Sequence, residues 1–139
     1  MRTALDTNII SALWASEPLA RQVEALLVRA RQEGGLVICG PVYAELRAHP
    51  LVKSKFVDQF LSDTNIVVDF EMDEPVWKEA ARAFAEYANR RRKSGGDQPK
   101  RLLADFIIGA HSLLHADCLL TLDPDRYRQS FPKLPLLPK

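Results

Sequence analysis

The stretch LLADFIIGAHSLLHADCLLTLD, residues 102–123, carries the pattern on which the fold turns. Its first half reads as a helix and CLLTL, residues 118–122, as a short buried strand with Asp123 directly after it. One charge, Asp105, sits among Leu102, Leu103, Phe106, Ile107 and Ile108. Ionised carboxylates are seldom buried unless paired or bound to a metal, so this one needs a reason. On a projection of about 100° per residue with Asp105 at zero, Leu102, Leu103, Phe106, Ile107, Ala110, Leu113 and Leu114 spread from roughly 60° to 200°. Gly109 and Ser112 fall within about 40° of Asp105. The acid is therefore expected at the margin of the core face, in a cleft beside a glycine and a hydroxyl.

Outward from this stretch the same alternation repeats. RTAL (2–5) is a short strand ending at Asp6, and TNIISALWA (7–15) a helix that Thr7 or Asn8 caps. EPLARQVEALLVRARQEGG (17–35) is an amphipathic helix with Pro18 early and Gly34 and Gly35 at its stop. LVICG (36–40) is a strand, and the helix PVYAELRAH (41–49) opens on Pro41 and is closed by Pro50. LVKSKFVDQFLSDT (51–64) is a helix, NIVVDF (65–70) a strand, and DEPVWKEAARAFAEYANRRRK (73–93) a long helix. Its leading acids and trailing bases suit the helix dipole. SGGDQP (94–99) breaks the chain, DPDRYRQSFP (123–132) makes a turn with a short helix, and LPLL (134–137) is an edge strand. Short apolar strands alternating with helices predict an α/β fold, in three α/β/α layers around a central parallel sheet of four to five strands. Sites in such sheets gather at the carboxyl ends of the strands.

The length of 139 residues suits a single domain, 1–139, and the apolar and charged shares of 47% and 27% are ordinary for a globular chain. A net charge of +1 gives no global pull toward nucleic acid or membrane, so charge-driven binding must come from local patches. Cys39 and Cys118 lie in apolar runs without a CxxC or Cys/His spacing, and read as buried thiols in a reducing compartment. No signal-like segment precedes the first strand and no apolar run reaches spanning length, which predicts a cytoplasmic protein without a membrane partner.

Four acids from four segments converge if the strands are parallel neighbours: Asp6 and Asp123 after strands, Glu45 in the helix after LVICG, and Asp105 in its helix's first turns. Taken singly, Asp6 and Asp123 are ordinary caps or turn formers and Glu45 a solvated helix acid. Together they are another matter. Crowded carboxylates repel unless a cation neutralises them, and Mg2+ and Mn2+ prefer oxygen ligands. A metal so held lowers the pKa of a bound water and clamps a phosphate for in-line attack, which points to phosphodiester hydrolysis. Other acid chemistries fit less well. A glycosidase pair is ill placed at the strand ends of so short an α/β chain. A receiver domain wants an acidic pair after the first strand, and an aspartyl phosphatase wants a second Asp where Asn8 stands. His111 and His115 project about 240° and 280° from Asp105 and read as surface or partly packed side chains. Trp14 and Trp77 read as core or interface anchors. Arg90, Arg91, Arg92 and Lys93, with Lys100 and Arg101, are either a solvated helix end or a patch that holds an RNA backbone. Gly95 and Gly96 would let that loop adapt to substrate.

ALDTNII (4–10), PVYAEL (41–46), residues 102–123 and RYRQSFPKL (126–134) together resemble the PIN-domain family, most closely the VapC-type toxins of bacterial toxin–antitoxin pairs. The resemblance spans nearly the whole chain. It implies a Mg2+- or Mn2+-dependent endoribonuclease with Asp6, Glu45, Asp105 and Asp123 as catalytic quartet, Asp6, Asp105 and Asp123 holding one or two ions, and 5′-phosphate and 3′-hydroxyl products. Thr7, Asn8 and Thr121 match the family's small polar positions, and Ser112 joins them as the hydroxyl beside Asp105. It further implies a homodimer and a cognate antitoxin that sets a basic side chain into the acidic pocket. Two features depart from the family: Leu122 replaces a commonly basic or polar residue, and NRRRKSGGDQPKR (89–101) is longer and more basic than expected. Asp125 competes with Asp123 as fourth acid. The other reading is a PIN-like binding module, weak or inactive, that works through its protein complex; the presence of all four acids speaks against it.

Overall fold

In the computed structural model of the chain, which describes residues 1–15, 18–95 and 102–139, the elements run β1 (Thr3–Leu5), α1 (Thr7–Trp14), α2 (Pro18–Glu33), β2 (Leu36–Cys39), α3 (Gly40–Arg47), α4 (Ser54–Asp63), β3 (Val67–Asp69), α5 (Glu74–Lys93), α6 (Leu103–His115), β4 (Cys118–Leu120), α7 (Asp125–Arg128) and β5 (Leu136–Leu137). The strands form one all-parallel sheet in the order β3-β2-β1-β4-β5. Every residue of β1, β2 and β4 is buried, as central parallel strands covered on both faces require. The edge strands β3 and β5 are partly exposed.

The strand order positions the site. From β1 the chain steps outward through β2 to β3, then returns to β4 on the other side of β1 and steps on to β5. The order reverses between β1 and β4, and a crevice opens at the carboxyl ends of strands at such a switch point. Asp6 follows β1 and Asp123 lies just beyond β4, so both flank it. Helix α6 is fixed beneath by Phe106, Ile107, Ile108 and Ala110, all buried. On α5, Val76, Ala80, Ala83 and Tyr87 are buried at helical spacing, and Phe84 and Tyr87 pack on the Phe106 ring at 5.1 and 5.4 Å. The residue after Asp105 is thus locked in the core.

Several local expectations change. Asp6 itself caps α1, its carboxylate accepting the Thr7 N–H, so neither Thr7 nor Asn8 is the cap. Helix α4 starts at Ser54, three residues later than the apolar pattern suggests. The cleft expected beside Asp105 is filled: Gly109 and Ser112 are buried, and a Cβ on Gly109 would stand 2.2 Å from the Phe131 ring. Ser112 spends its hydroxyl on the Ile108 carbonyl at 2.7 Å, and so does not support the acids. His111 is not at the surface but 1% exposed, its Nε2 2.8 Å from Asp69, while His115 faces Asp73 at 3.2 Å. The projection of α6 contains no partner for that face; β3 and the start of α5 supply it. Both cysteines are buried and free, and burial, with Asp6 and Glu45 adding their charge, pushes the Cys39 thiol up to about 12. Among the described residues no helix is long and apolar enough to cross a membrane. Gly96, Lys100 and Arg101 lie outside the described residues.

Candidate active site

Asp6 is 3% exposed, yet its carboxylate is well supplied with donors. Oδ1 accepts the Thr7 N–H at 2.8 Å; Oδ2 accepts the hydroxyls of Thr121 and Tyr127, each at 2.8 Å. A buried carboxylate is tolerated only on such terms, and its four lone-pair sites leave capacity for a further ligand. Burial first, then the Asp6 charge, raises the Tyr127 pKa far above the ordinary tyrosine range. The phenol therefore stays protonated and remains a donor.

Thr121 is the crossing point of the site. Its oxygen donates to Asp6 and accepts from the Asp123 N–H at 3.0 Å and from Asn8 Nδ2 at 3.4 Å. Asn8 Oδ1 accepts the Leu122 N–H at 3.1 Å. Asn8 and Thr121 thus clamp the turn after β4 that carries Asp123. Strand β4 ends at Leu120, not at Leu122 as the apolar run suggests, although the Thr121 N–H still pairs with the Leu137 carbonyl at 3.0 Å.

Asp105 stands in the first turn of α6 with its side chain 15% exposed. It meets Asp123, 46% exposed, through one guanidinium: Arg126 Nη1 lies 3.3 Å from Asp105 and Nη2 3.1 Å from Asp123. Burial works against that charge, but Asp105 and Asp123 outweigh it and hold the Arg126 pKa above its ordinary value. Asp125 is 80% exposed and pairs with Arg128 at 2.6 Å. Asp123 thus shares one guanidinium with Asp105, while Asp125 pairs with Arg128.

Glu45, on the exposed side of α3, accepts the Thr7 hydroxyl at 2.8 Å, which ties it to the residue beside Asp6. Partial burial raises its pKa, and Asp6 and Asp105 add to that, against the lowering bond from Thr7. A raised carboxyl pKa means the fold prefers the protonated form, so this contribution to stability is present at low pH and lost as pH rises through the folded-state pKa. Without metal, Glu45→Gln, which mimics the protonated group, is expected to gain stability over the native chain as pH rises above 4.5, the ordinary glutamate value. Urea midpoints at pH 4 and pH 7 check this; a difference that does not change with pH contradicts it.

All four predicted acids, with Thr7, Asn8 and Thr121, thus join one continuous network. Tyr127 and Arg126 complete it and were not singled out by residue pattern. Both lie in RYRQSFPKL, one of the stretches that carry the resemblance, but the DRYR run is too short for a periodicity to show which face is buried. The donor chemistry fits a hard divalent cation: oxygens alone, two of them already converging on a positive charge. Among the described residues, however, no three His, Cys, Asp or Glu side chains yet stand close enough to share one ion. The basic run ends α5: Arg90 lies over the Tyr87 ring at 6.0 Å, Arg92 bonds Asn89 at 2.7 Å, and Arg91 and Lys93 occupy the same last turn. Through Tyr87 and Phe106 this end of α5 is joined to the start of α6.

The model of the PIN domain matches residues 3–132. The chain belongs to the PIN-domain family. Among curated proteins none matches. Solved structures similar to this PIN-domain chain include VapBC-1 from nontypeable Haemophilus influenzae, at 22% identity and TM-score 0.61, covering 98% of this chain and 96% of that one. VapBC2 from Rickettsia felis, bound to a DNA fragment from their promoter, gives 21% identity, TM-score 0.62 and coverage of 98% and 97%. FitAcB from Neisseria gonorrhoeae gives 24%, 0.66, and 98% and 96%. At these identities the likeness is one of fold.

Proposed function

We propose that this PIN-domain chain is a divalent-metal-dependent endoribonuclease, the toxin of a toxin–antitoxin pair, and that residues 1–139 act as one catalytic domain. The observation that carries the reading is the single network that joins four acids from four segments at the switch point of the sheet. Asp6, Asp105 and Asp123 would hold Mg2+ or Mn2+. When bound, such an ion supplies Lewis acidity toward the phosphate and lowers the pKa of its water. Glu45, steered by the Thr7 hydroxyl, orients the attacking water. Thr121, Asn8 and Tyr127 keep Asp6 and Asp123 in register. Arg90, Arg91, Arg92 and Lys93, with Lys100 and Arg101, contact the RNA backbone and so add affinity without sequence choice. The products are 5′-phosphate and 3′-hydroxyl ends.

The likeness in fold to VapBC and FitAcB supports a cognate antitoxin, and the resemblance of the motifs to VapC-type toxins adds a homodimer. Structured RNA incubated with Mn2+ tests the enzyme. Cleavage is expected from the native chain, is stopped by chelator, and falls on the order of a hundredfold in Asp105→Asn, as for removal of one electrostatic group at a reacting centre. Equal cleavage by both proteins would place the activity elsewhere. If neither cleaves any of many RNAs, the chain works as a binding module through its protein complex.

A further inference from the structure

Arg126 is a cation inside the acidic site, supplied by the chain itself. Its guanidinium spans Asp105 of α6 and Asp123 of the turn after β4, at 3.3 and 3.1 Å. Its position is built in: the next residue, Tyr127, is wholly buried and donates to Asp6, so the backbone of α7 is pinned to the floor of the site. The side chain itself is 37% exposed. A planar fork that spans two carboxylates is a task for arginine, not for lysine. One oxygen of each acid faces the guanidinium, and a divalent ion between Asp105 and Asp123 would draw on the same two carboxylates.

We infer that Arg126 is an internal counter-ion that competes with the divalent cation for Asp105 and Asp123. The inference rests on the metal reading of the site given above. Without metal, Arg126 relieves the repulsion between the two acids and holds them at guanidinium distance. Metal binding requires its release, because a small divalent ion draws its oxygens much closer than a guanidinium does. Apparent metal affinity is then the intrinsic affinity multiplied by the fraction of molecules in which Arg126 has let go.

Isothermal titration with Mn2+ tests this on the native chain, Arg126→Gln, Arg126→Lys and Arg128→Gln. Arg126→Gln is expected to tighten Mn2+ binding by about fivefold or more, the reciprocal of a minor released fraction. Arg126→Lys should fall between it and the native chain. Arg128, two residues on and paired with Asp125, controls for loss of nearby positive charge, and its variant should bind as the native chain does. Unchanged or weaker binding by Arg126→Gln overturns the inference, as does equal tightening by Arg128→Gln. If the native chain and all variants fail to bind Mn2+, the metal reading falls as well, which separates the two failures. Should Arg126→Gln not fold, the native chain decides. Mg2+ should shift the Arg126 Nε resonance where matched NaCl does not; Mg2+ binding without that shift overturns the competition.

Discussion

Asp6→Asn is expected to lower RNA cleavage on the order of a thousandfold, the upper range for loss of one electrostatic group at a reacting centre. It is also expected to destabilise the fold. The carboxylate accepts on both oxygens, from Thr7 N–H on one side and from the Thr121 and Tyr127 hydroxyls on the other. An asparagine must turn its NH2 toward one side, and either choice sets a donor against a donor. Tyr127 could rotate its hydroxyl to accept, but Thr121 already accepts from Asp123 N–H and Asn8, so its proton has no other outlet. An unsatisfied buried donor costs about 1–3 kcal/mol. Asp105→Asn is expected to cost less, because Asp105 is only partly buried and its carboxylate pairs with the partly exposed Arg126 guanidinium. Denaturant midpoints alongside cleavage rates therefore separate the two acids: both variants lose activity, and Asp6→Asn loses the more stability. An Asp6→Asn protein as stable as the native one would contradict the hydrogen-bond network.

The second large effect is on folding alone. Gly109→Ala is expected to destabilise the chain by about 2 kcal/mol, within the usual range for an overpacked core. Helix propensity predicts the opposite, since alanine is favoured over glycine inside a helix by about 1 kcal/mol. Packing wins because the added Cβ would stand 2.2, 2.5 and 2.9 Å from three atoms of the Phe131 ring. Phe131 is itself buried and cannot swing clear. A double-mutant cycle with Phe131→Leu checks the cause. The smaller, flexible side chain should make Gly109→Ala less costly than in the native background, and a strictly additive result would place the strain elsewhere.

Much of this architecture is readable from residue order. TAL, LVIC and CLL have no polar face, so they had to be central strands, and their alternation with helices leaves a parallel sheet as the solution. Asp6 and Asp123 follow two of those strands, which puts them at one edge by connectivity. Glu45 and Asp105, each in the early turns of a helix, were placed beside them by the same connectivity, and the resemblance then grouped all four. Contacts between elements distant in the chain are what no local pattern contains. Phe131, 22 residues after Gly109, fills the space that the α6 projection left open. Asp69, 42 residues before His111, gives that histidine a buried partner. Tyr127 reaches back to Asp6 across 121 positions.

Residue types and their period were enough for the fold class and the strand-end location of the acids, because these follow from local rules of burial and charge. Which oxygens are satisfied, and by what, was settled by tertiary packing. Parallel strands with helical crossovers bring residues together from separate segments, and a four-residue helix such as α7 has no periodicity to announce that Tyr127 points inward and Arg126 onto the acids. The pairing of Asp105 and Asp123 through Arg126 exists only once α6, the turn after β4 and α7 are assembled at the same edge.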